Sequence, residues 1–201
     1  MVTTAYVFLI VAIVLQRLLE LRVSRSNERE LKARGGVEHA EEQLPYMVAL
    51  HSAWLVSCLG EVLLFERSAP RALSLLALVV FSVGQALRIS AIHQLDERWT
   101  VKVITLPGEA PVESGIFRFV RHPNYLGVIL EIAALPLVHG AYLTAILFTI
   151  ANGVLLQRRI RAEEQALGSD YGKRLGARPM LLPDFAAALR WGRRARTTEG
   201  G

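Results

Sequence analysis

The sequence is poor in cysteine, and this scarcity excludes two classes of site. Its 201 residues include a single cysteine, Cys58, which lies within an apolar run. One thiol forms no disulfide within the chain and provides no CxxC metal motif. We predict no metal site. The sequence also lacks an evident internal repeat, and its length fits one domain.

The first apolar run, residues 5–21, lacks two marks of a cleaved signal peptide. No basic residue precedes it, and no small-residue cleavage site is evident. We therefore expect a retained membrane span, with its N-terminal end outside the cell and the following loop in the cytoplasm. The charged run in that loop predicts a solvated amphipathic helix at the lipid surface. Its basic residues are Arg22, Arg25, Arg29, Lys32 and Arg34.

Long apolar runs dominate the chain. Hydrophobic residues make up 52% of it and charged residues 20%, and the charges are clustered. Recurrent apolar runs of about 17 or more residues favour an integral membrane protein over a soluble one. The net charge of +5 comes from basic residues beside those runs. This placement favours a role in membrane topology, and we expect no nucleic-acid partner.

The apolar pattern predicts an all-α integral membrane protein with about five transmembrane helices. One domain is predicted over residues 1–195, with a disordered tail at residues 196–201. The predicted spans are residues 5–21, 46–65, 72–92, 124–138 and 141–157. Because the fourth run is short, the last two are interpreted as a helical hairpin that turns near the outer interface. The basic residues Arg158, Arg159 and Arg161 then place the C-terminus inside a multi-pass protein of the inner or plasma membrane.

Several polar residues fall at one predicted depth of the membrane. An ionisable residue inside a span is costly and is by default a functional hypothesis. The alternative is that these side chains snorkel or pair for packing. Together with the long polar segment 93–121, they predict a pocket that opens to the cytosol and to lipid. The residues expected in this cytoplasmic third are Arg17, Glu20, His51, Gln85, Arg88 and Glu131.

Residues 121–127, Arg-His-Pro-Asn-Tyr-Leu-Gly, place polar side chains at the start of an apolar run. Proline is tolerated in the first turn of a helix, so Pro123 predicts that Arg121 and His122 lie in a loop just before a buried helix. Such a cluster is well placed to hold a charged cofactor. The alternative is a helix start with snorkelling basic residues.

A second motif occupies residues 159–164. Helical spacing puts Arg159 and Glu163 on one face, with Glu164 adjacent. The two carboxylates suit a cationic or amine group, or ribose hydroxyls. The alternative is a solvated helix face.

Together, the two motifs resemble the isoprenylcysteine carboxyl methyltransferase family. The resemblance joins residues 121–127, about thirty residues of apolar hairpin, and the pattern Arg159-x-x-x-Glu163-Glu164-x-x-Leu167-Gly168-x-x-Tyr171, with Pro183 as closing proline. It covers about residues 88–183. It implies an S-adenosylmethionine cofactor on the cytosolic side, bound between the 93–125 loop and the C-terminal helix. The implied cofactor-binding residues are His122, Pro123, Asn124, Tyr125, Gly127, Glu163 and Glu164.

The same resemblance implies a lipophilic acceptor that enters the site from the bilayer. It also makes Arg159 the candidate residue for orienting the acceptor oxygen. Predicted depth adds Arg88 and Glu131 as catalytic candidates. The substrate-binding candidates are His51, Arg88, His93 and Trp99.

Methyl transfer from a sulfonium is an in-line displacement, so the protein mainly has to orient and desolvate the two reactants. A carboxylate or acidic enol needs no strong base, whereas a neutral phenol would need one, such as His93 or Glu131.

Four shorter motifs resemble a narrower bacterial branch, the membrane methyltransferases that accompany type III polyketide synthases. They are Arg17-Leu18-x-Glu20-Leu21, Ser24-x-x-Asn27, Gly35-Gly36-Val37-Glu38 and Leu130-Glu131-Ile132-Ala133. This resemblance implies a long-chain alkylpyrone or alkylresorcinol acceptor in place of an isoprenylcysteine-like carboxylate. It also implies a type III polyketide synthase as a partner, in addition to membrane lipids.

Two other classes of function stay open at this point. Some sterol reductases share the His-Pro-x-Tyr element, so an NADPH-dependent reductase of a lipid double bond is one alternative. A non-catalytic membrane scaffold is the other.

Overall fold

The computed structural model describes residues 2–181, which form five helices and one small sheet. The helices are α1 (Val2–Ala33), α2 (Leu44–Leu64), α3 (Arg71–Leu95), α4 (Pro123–Leu137) and α5 (Tyr142–Leu175). Strands β1 (Val37–His39) and β2 (Val103–Thr105) pair antiparallel, and 3-10 turns cover Glu41–Gln43, Asp96–Arg98 and Gly115–Arg118. The predicted tail at residues 196–201 and the proline at position 183 lie outside the described residues.

Three of the described helical stretches are long and apolar enough to cross a membrane: Thr3–Ala33, Glu41–Leu64 and Arg71–Arg98. Large apolar side chains such as Phe8 and Val56 are exposed on them, as expected of a face that contacts lipid. The protein is therefore mostly helical, with helices suited to a membrane. With 15 residues, α4 is shorter than a typical span. The total of five spans and their orientation stay predictions.

Two helices extend well beyond the predicted spans. α1 continues to Ala33, so the charged run is helical, as predicted, but it prolongs the first helix without a break. Its place at the lipid surface stays a prediction. The charged run consists largely of good helix formers, and Lys32 pairs with Glu28 one turn earlier at 3.0 Å. α5 likewise continues past the predicted end at residue 157 to Leu175. Both extensions carry polar side chains to the region around the candidate site.

The all-α prediction is incomplete because the chain also contains a two-stranded sheet. Val37 pairs with Thr105, and His39 pairs with Val103. A strand of three residues is too short to show a period-2 pattern in the sequence, and its partner comes from a distant part of the chain. The sheet ties the segment after α1 to the long segment between α3 and α4.

α3 and α4 cross at two glycines. A Cβ atom on Gly127 would lie 2.7 Å from the carbonyl oxygen of Gly84 and 2.6 Å from the Cγ of Arg88. Small residues at such a crossing let two helix backbones approach closely. The close approach brings the start of α4 against the part of α3 that carries Arg88.

A carboxylate from α2 binds the N-terminus of α5. The oxygens of buried Glu61 accept hydrogen bonds from the backbone N–H groups of Leu143 and Thr144 at 3.1 and 2.7 Å, and from the Thr144 hydroxyl at 2.8 Å. A negative charge is favourable at the positive end of the helix dipole. The interaction anchors the α4–α5 hairpin, whose turn matches the predicted one.

Candidate functional site

A cavity of about 480 Å³ lies between the segment that follows α3 and one face of α5. This volume is within the range of small-molecule sites. Residues 98–100 and 102–112 form much of the wall, and the start of α4 contributes to it. Seven predicted site residues line the cavity: Trp99, His122, Pro123, Asn124, Tyr125, Arg159 and Glu163.

The loop before α4 is fixed on both sides of His122. Pro123 begins the helix, as predicted, and His122 is buried immediately before it. The backbone N–H groups of Arg121 and His122 donate to the carbonyls of Pro179 and Met180 at 3.0 and 3.1 Å. The segment that follows α5 therefore holds this loop in place.

Glu164 organises the His122 end of the site. Its Oε1 accepts a hydrogen bond from Arg121 Nη1 at 2.7 Å and lies 3.0 Å from His122 Nε2. The Tyr171 hydroxyl lies 3.4 Å from the same histidine nitrogen. Burial, which disfavours the phenolate, raises the pKa of Tyr171 well above its ordinary value. Glu164 itself contacts the loop and does not line the cavity.

Gly168 interrupts α5 and explains how Tyr171 returns to the site. Its backbone has φ 72° and ψ −169°, a conformation that favours glycine because other residues are strained there. The chain therefore changes direction between Glu164 and Tyr171, and both side chains meet His122. Tyr171 is part of the family motif but was given no role from the sequence.

Tyr125 joins Arg159 to Glu163. Its hydroxyl donates a hydrogen bond to Glu163 Oε2 and accepts one from Arg159 Nε at 3.3 Å. Arg159 is 5% exposed, and its Nη2 donates to the backbone carbonyl of Val101. As predicted, Arg159 and Glu163 lie on one face of α5. A buried cation is thus fixed beside a carboxylate at the cavity wall.

The predicted cluster of polar residues inside the helices exists, but it forms a network of its own. Arg17 and Arg88 each pair with both Glu20 and Glu131, bridging α1, α3 and α4. Arg88 and Glu131 are 6% and 2% exposed, and neither lines the cavity. Burial of these charges is tolerated because each has an opposite partner. The link to the cavity is Asn124, whose Oδ1 accepts from Arg88 Nη1 at 3.2 Å.

Three further predicted residues lie away from the cavity wall. Gly127 faces the α3–α4 crossing, where its lack of a side chain serves packing. His51 is half-buried on α2, and its Nδ1 lies 2.7 Å from the Met47 carbonyl. His93 is exposed on the last turn of α3. The cofactor and substrate roles given to these residues stay predictions, without support from their positions.

Lys102 adds a cationic group to the cavity wall that sequence reasoning missed. Its Nζ lies 2.6 Å from Glu28 and 2.9 Å from Glu38. The hydrogen bond to Glu28, followed by that to Glu38, raises the pKa of Lys102. Burial alone would raise the pKa of Glu38, but hydrogen bonds from Lys32 and Lys102 outweigh it and lower that pKa. No local motif in the sequence marks this cluster, because its members come from three separate segments.

The fold and the cavity define an α-helical membrane protein with a cavity of small-molecule size whose wall carries fixed charges. The sequence profile of the isoprenylcysteine carboxyl methyltransferase (ICMT) family matches residues 75–169. An uncharacterised protein of Bacillus subtilis (strain 168), YpbQ, is 40% identical over 159 residues, or 79% of this chain and 94% of that protein. The chain belongs to the ICMT family.

Two other relatives differ in how much they share with this chain. An uncharacterised protein of Haemophilus influenzae is 30% identical over 162 residues, or 78% of this chain and 91% of that protein. The protein-S-isoprenylcysteine O-methyltransferase of Schizosaccharomyces pombe is 30% identical over 98 residues, which are 48% of this chain and 42% of that enzyme. Membership of the family points to a membrane methyltransferase, and ICMT methyltransferases use S-adenosylmethionine. Neither the family match nor these relatives supports the narrower polyketide-associated branch.

Proposed function

We propose that the protein transfers a methyl group from S-adenosylmethionine to an oxygen of a lipophilic acceptor at the membrane. One observation carries the proposal. Arg159 and Glu163 both line the cavity, and both bind the hydroxyl of Tyr125. The Tyr125 hydroxyl therefore holds two groups side by side at the cavity wall: the carboxylate of Glu163, which suits the cofactor, and the cation of Arg159, which suits the acceptor.

The groups around the cavity suit the proposed cofactor. Glu163 is a carboxylate that accepts hydrogen bonds from amine or hydroxyl groups. The rings of His122 and Tyr125 are stacked with centroids 5.5 Å apart, and both residues line the cavity. When bound, S-adenosylmethionine supplies a methyl group on a sulfonium, and transfer to oxygen is an in-line displacement. The chain's own contribution is then orientation and the exclusion of water.

The proposed role of Arg159 is to orient the acceptor oxygen. Its guanidinium is anchored by Tyr125 and by the Val101 carbonyl, which limits its freedom of movement. An enolate or carboxylate reaches the site already ionised, so a fixed cation serves it better than a base. The paired state of Glu131 and the exposed position of His93 also favour an acceptor that needs no strong base.

The acceptor is proposed to be a long-chain enol or carboxylic acid, with two specific candidates. A long-chain alkylpyrone, an acidic enol made by a type III polyketide synthase, follows from the four shorter sequence motifs. An alkylresorcinol, the other acceptor that those motifs imply, is a neutral phenol and is the less favoured of the two because it would need a base. An isoprenylcysteine-like carboxylate follows from the name of the S. pombe relative. The active site is proposed to face the cytoplasm, where the cofactor is available.

The cofactor is tested by calorimetric titration of the detergent-solubilised protein with S-adenosylhomocysteine and, separately, with NADPH. We expect binding of S-adenosylhomocysteine, weakened about ten- to a hundredfold in His122→Ala and in Glu163→Gln, because each loses a hydrogen bond to a charged or polar group. Gln165→Ala, an exposed change on the same helix, is the control and should bind like wild type. Binding of NADPH alone would overturn the proposal in favour of a reductase.

The acceptor is tested by transfer of labelled methyl groups to three compounds: an alkylpyrone, an alkylresorcinol and a farnesylated cysteine. Transfer to the alkylpyrone or to the farnesylated cysteine is expected, whereas transfer to the alkylresorcinol alone would mean that a base acts on a neutral phenol. Binding of S-adenosylhomocysteine without transfer to any of them would contradict the proposed acceptor class and leave the cofactor assignment intact.

A further inference from the structure

The second half of α1 holds the cavity wall through side chain-to-backbone hydrogen bonds. Ser24 is 4% exposed, and its Oγ accepts the backbone N–H of Val101 at 2.8 Å. Asn27 Nδ2 donates to the carbonyls of Asp96 and Trp99, both at 2.9 Å. Bonds to backbone groups fix the path of the chain itself, so α1 determines where this part of the wall lies.

Val101 is held from two sides. Its N–H donates to Ser24 on α1, and its carbonyl accepts a hydrogen bond from Arg159 on α5. The position of the Val101 carbonyl therefore determines where the guanidinium of Arg159 is anchored. The other anchor, the Tyr125 hydroxyl at 3.3 Å, is long for a hydrogen bond and restrains Arg159 less.

We infer that Ser24 is a positioning residue for Arg159 and that it acts through the backbone of Val101. It lies outside the region that matches the family profile, which begins at residue 75. The motif Ser24-x-x-Asn27 on α1 would therefore help to position the guanidinium of Arg159, which belongs to α5. The kinetic consequence of this inference rests on the proposed function, whereas the structural coupling does not.

The coupling is tested by amide hydrogen exchange of the detergent-solubilised protein. We expect the Val101 amide to exchange at least about fivefold faster in Ser24→Ala, because its acceptor is lost, and to stay protected in Ser24→Thr, which keeps a hydroxyl. Ser26→Ala is the matched control, an exposed serine two residues further along α1. Unchanged protection of Val101 in Ser24→Ala would overturn the inference. If that variant does not fold, Asn27→Ala replaces it. We then expect faster exchange over residues 96–101. Unchanged exchange over those residues would overturn the inference.

The action through Arg159 is tested by a double-mutant cycle. In the wild-type background, Ser24→Ala should lower kcat about five- to tenfold while S-adenosylhomocysteine affinity changes less than about twofold. In the Arg159→Lys background, the same change should lower kcat less than about twofold, because its target is already altered. Equal losses in both backgrounds would mean that Ser24 acts independently of Arg159 and would overturn the inference. If the wild-type protein transfers no methyl group at all, the proposed function fails, and the exchange experiment still decides whether the coupling exists.

Discussion

At the scale of single residues, the hydroxyl of Tyr125 is where the two sequence motifs meet. It donates to Glu163 and accepts from Arg159, two side chains that lie one helical turn apart on α5. Glu164, the next residue, faces the other way, toward Arg121 and His122. Adjacent carboxylates therefore have different tasks: Glu163 borders the cavity, and Glu164 braces the loop that carries His122.

Arg159→Lys separates orientation of the acceptor from binding of the cofactor. Lysine keeps the positive charge but loses the planar group that bonds to Tyr125 and Val101 at once. We expect a fall in kcat of at least about tenfold, with S-adenosylhomocysteine affinity nearly unchanged in calorimetry. Arg158→Lys, at the exposed neighbouring position, is the control and should retain full turnover. A parallel loss of affinity and turnover would assign Arg159 to the cofactor.

At the scale of elements, the α3–α4 crossing and the buried charge network form one assembly. Gly84 and Gly127 let the two helices approach, and this places Arg88 beside Glu131 and Asn124. Loss of one partner would leave a buried charge unpaired, which commonly costs about 3–5 kcal/mol. The network therefore positions the start of α4, which borders the cavity, without contributing a group to its wall.

Gly127→Ala tests the close approach of α3 and α4. The added methyl group would lie within 3 Å of backbone and side-chain atoms of α3. We expect a loss of about 1–3 kcal/mol, seen as a lower melting temperature of the detergent-solubilised protein. Gly153→Ala on α5 is the matched control, since a Cβ there meets nothing within 4 Å, and it should be neutral or mildly stabilising. Equal melting temperatures for wild type and Gly127→Ala would contradict the packing described for this crossing.

The sheet and the end of α1 are coupled by charge, and this coupling should depend on pH. The pKa of Glu38 is lowered, so its contribution is complete above the ordinary value of 4.5 and is lost as the pH falls through the native pKa. The pKa of Lys102 is raised, so its contribution is complete below the ordinary 10.5 and is lost only at higher pH. Glu28 and Lys32 of α1 complete the cluster.

The variant Glu38→Gln tests how much the charge of Glu38 stabilises the protein and whether that stabilisation is lost in acid. The variant should melt at a lower temperature than wild type near neutral pH, and the difference should shrink as the pH falls below about 4.5. Melting curves of both proteins over that range are the measurement. A difference that stays constant into acid would mean that packing of β1, and not the charge of Glu38, is responsible.

At the scale of the whole molecule, the two ends of the helical assembly differ in what they carry. A cleft lined by Thr3, Ser68 and His139 shows that the start of α1, the α2–α3 turn and the α4–α5 turn lie together at one end. The cavity lies at the other end, where α1 and α5 carry their charged extensions and the segment after α3 begins. By the positive-inside rule, we expect the end with the cavity to be the cytoplasmic one.

Cysteine labelling tests this orientation. With the buried Cys58 replaced by serine, a cysteine at the exposed position of Thr4 should react with an impermeant reagent on intact cells. One at the exposed position of Gln165 should react only after permeabilisation. Reaction of both from the same side would exclude an odd number of spans. Reaction at Gln165 alone would reverse the orientation and place the cavity outside the cell.

What the sequence determined by itself is the set of features carried by local patterns. Apolar periodicity and length indicated the membrane helices and the α4–α5 hairpin, and Pro123 marked the start of α4 with His122 just before it. Spacing along one helix placed Arg159 and Glu163 on a common face. These features depend on residues that are close together in the sequence, so local sequence patterns are sufficient to predict them.

The tertiary structure alone decided which of these polar groups share a site. Arg88 and Glu131 are enclosed in an ion-pair network, whereas Lys102, which sequence reasoning did not mark as a site residue, forms part of the cavity wall. The three-residue strand β1 likewise becomes visible only through its pairing with β2. The physical reason is the same in each case. A buried charge or an unpaired backbone group is stable only beside its partner, and here the partners come from segments far apart in sequence.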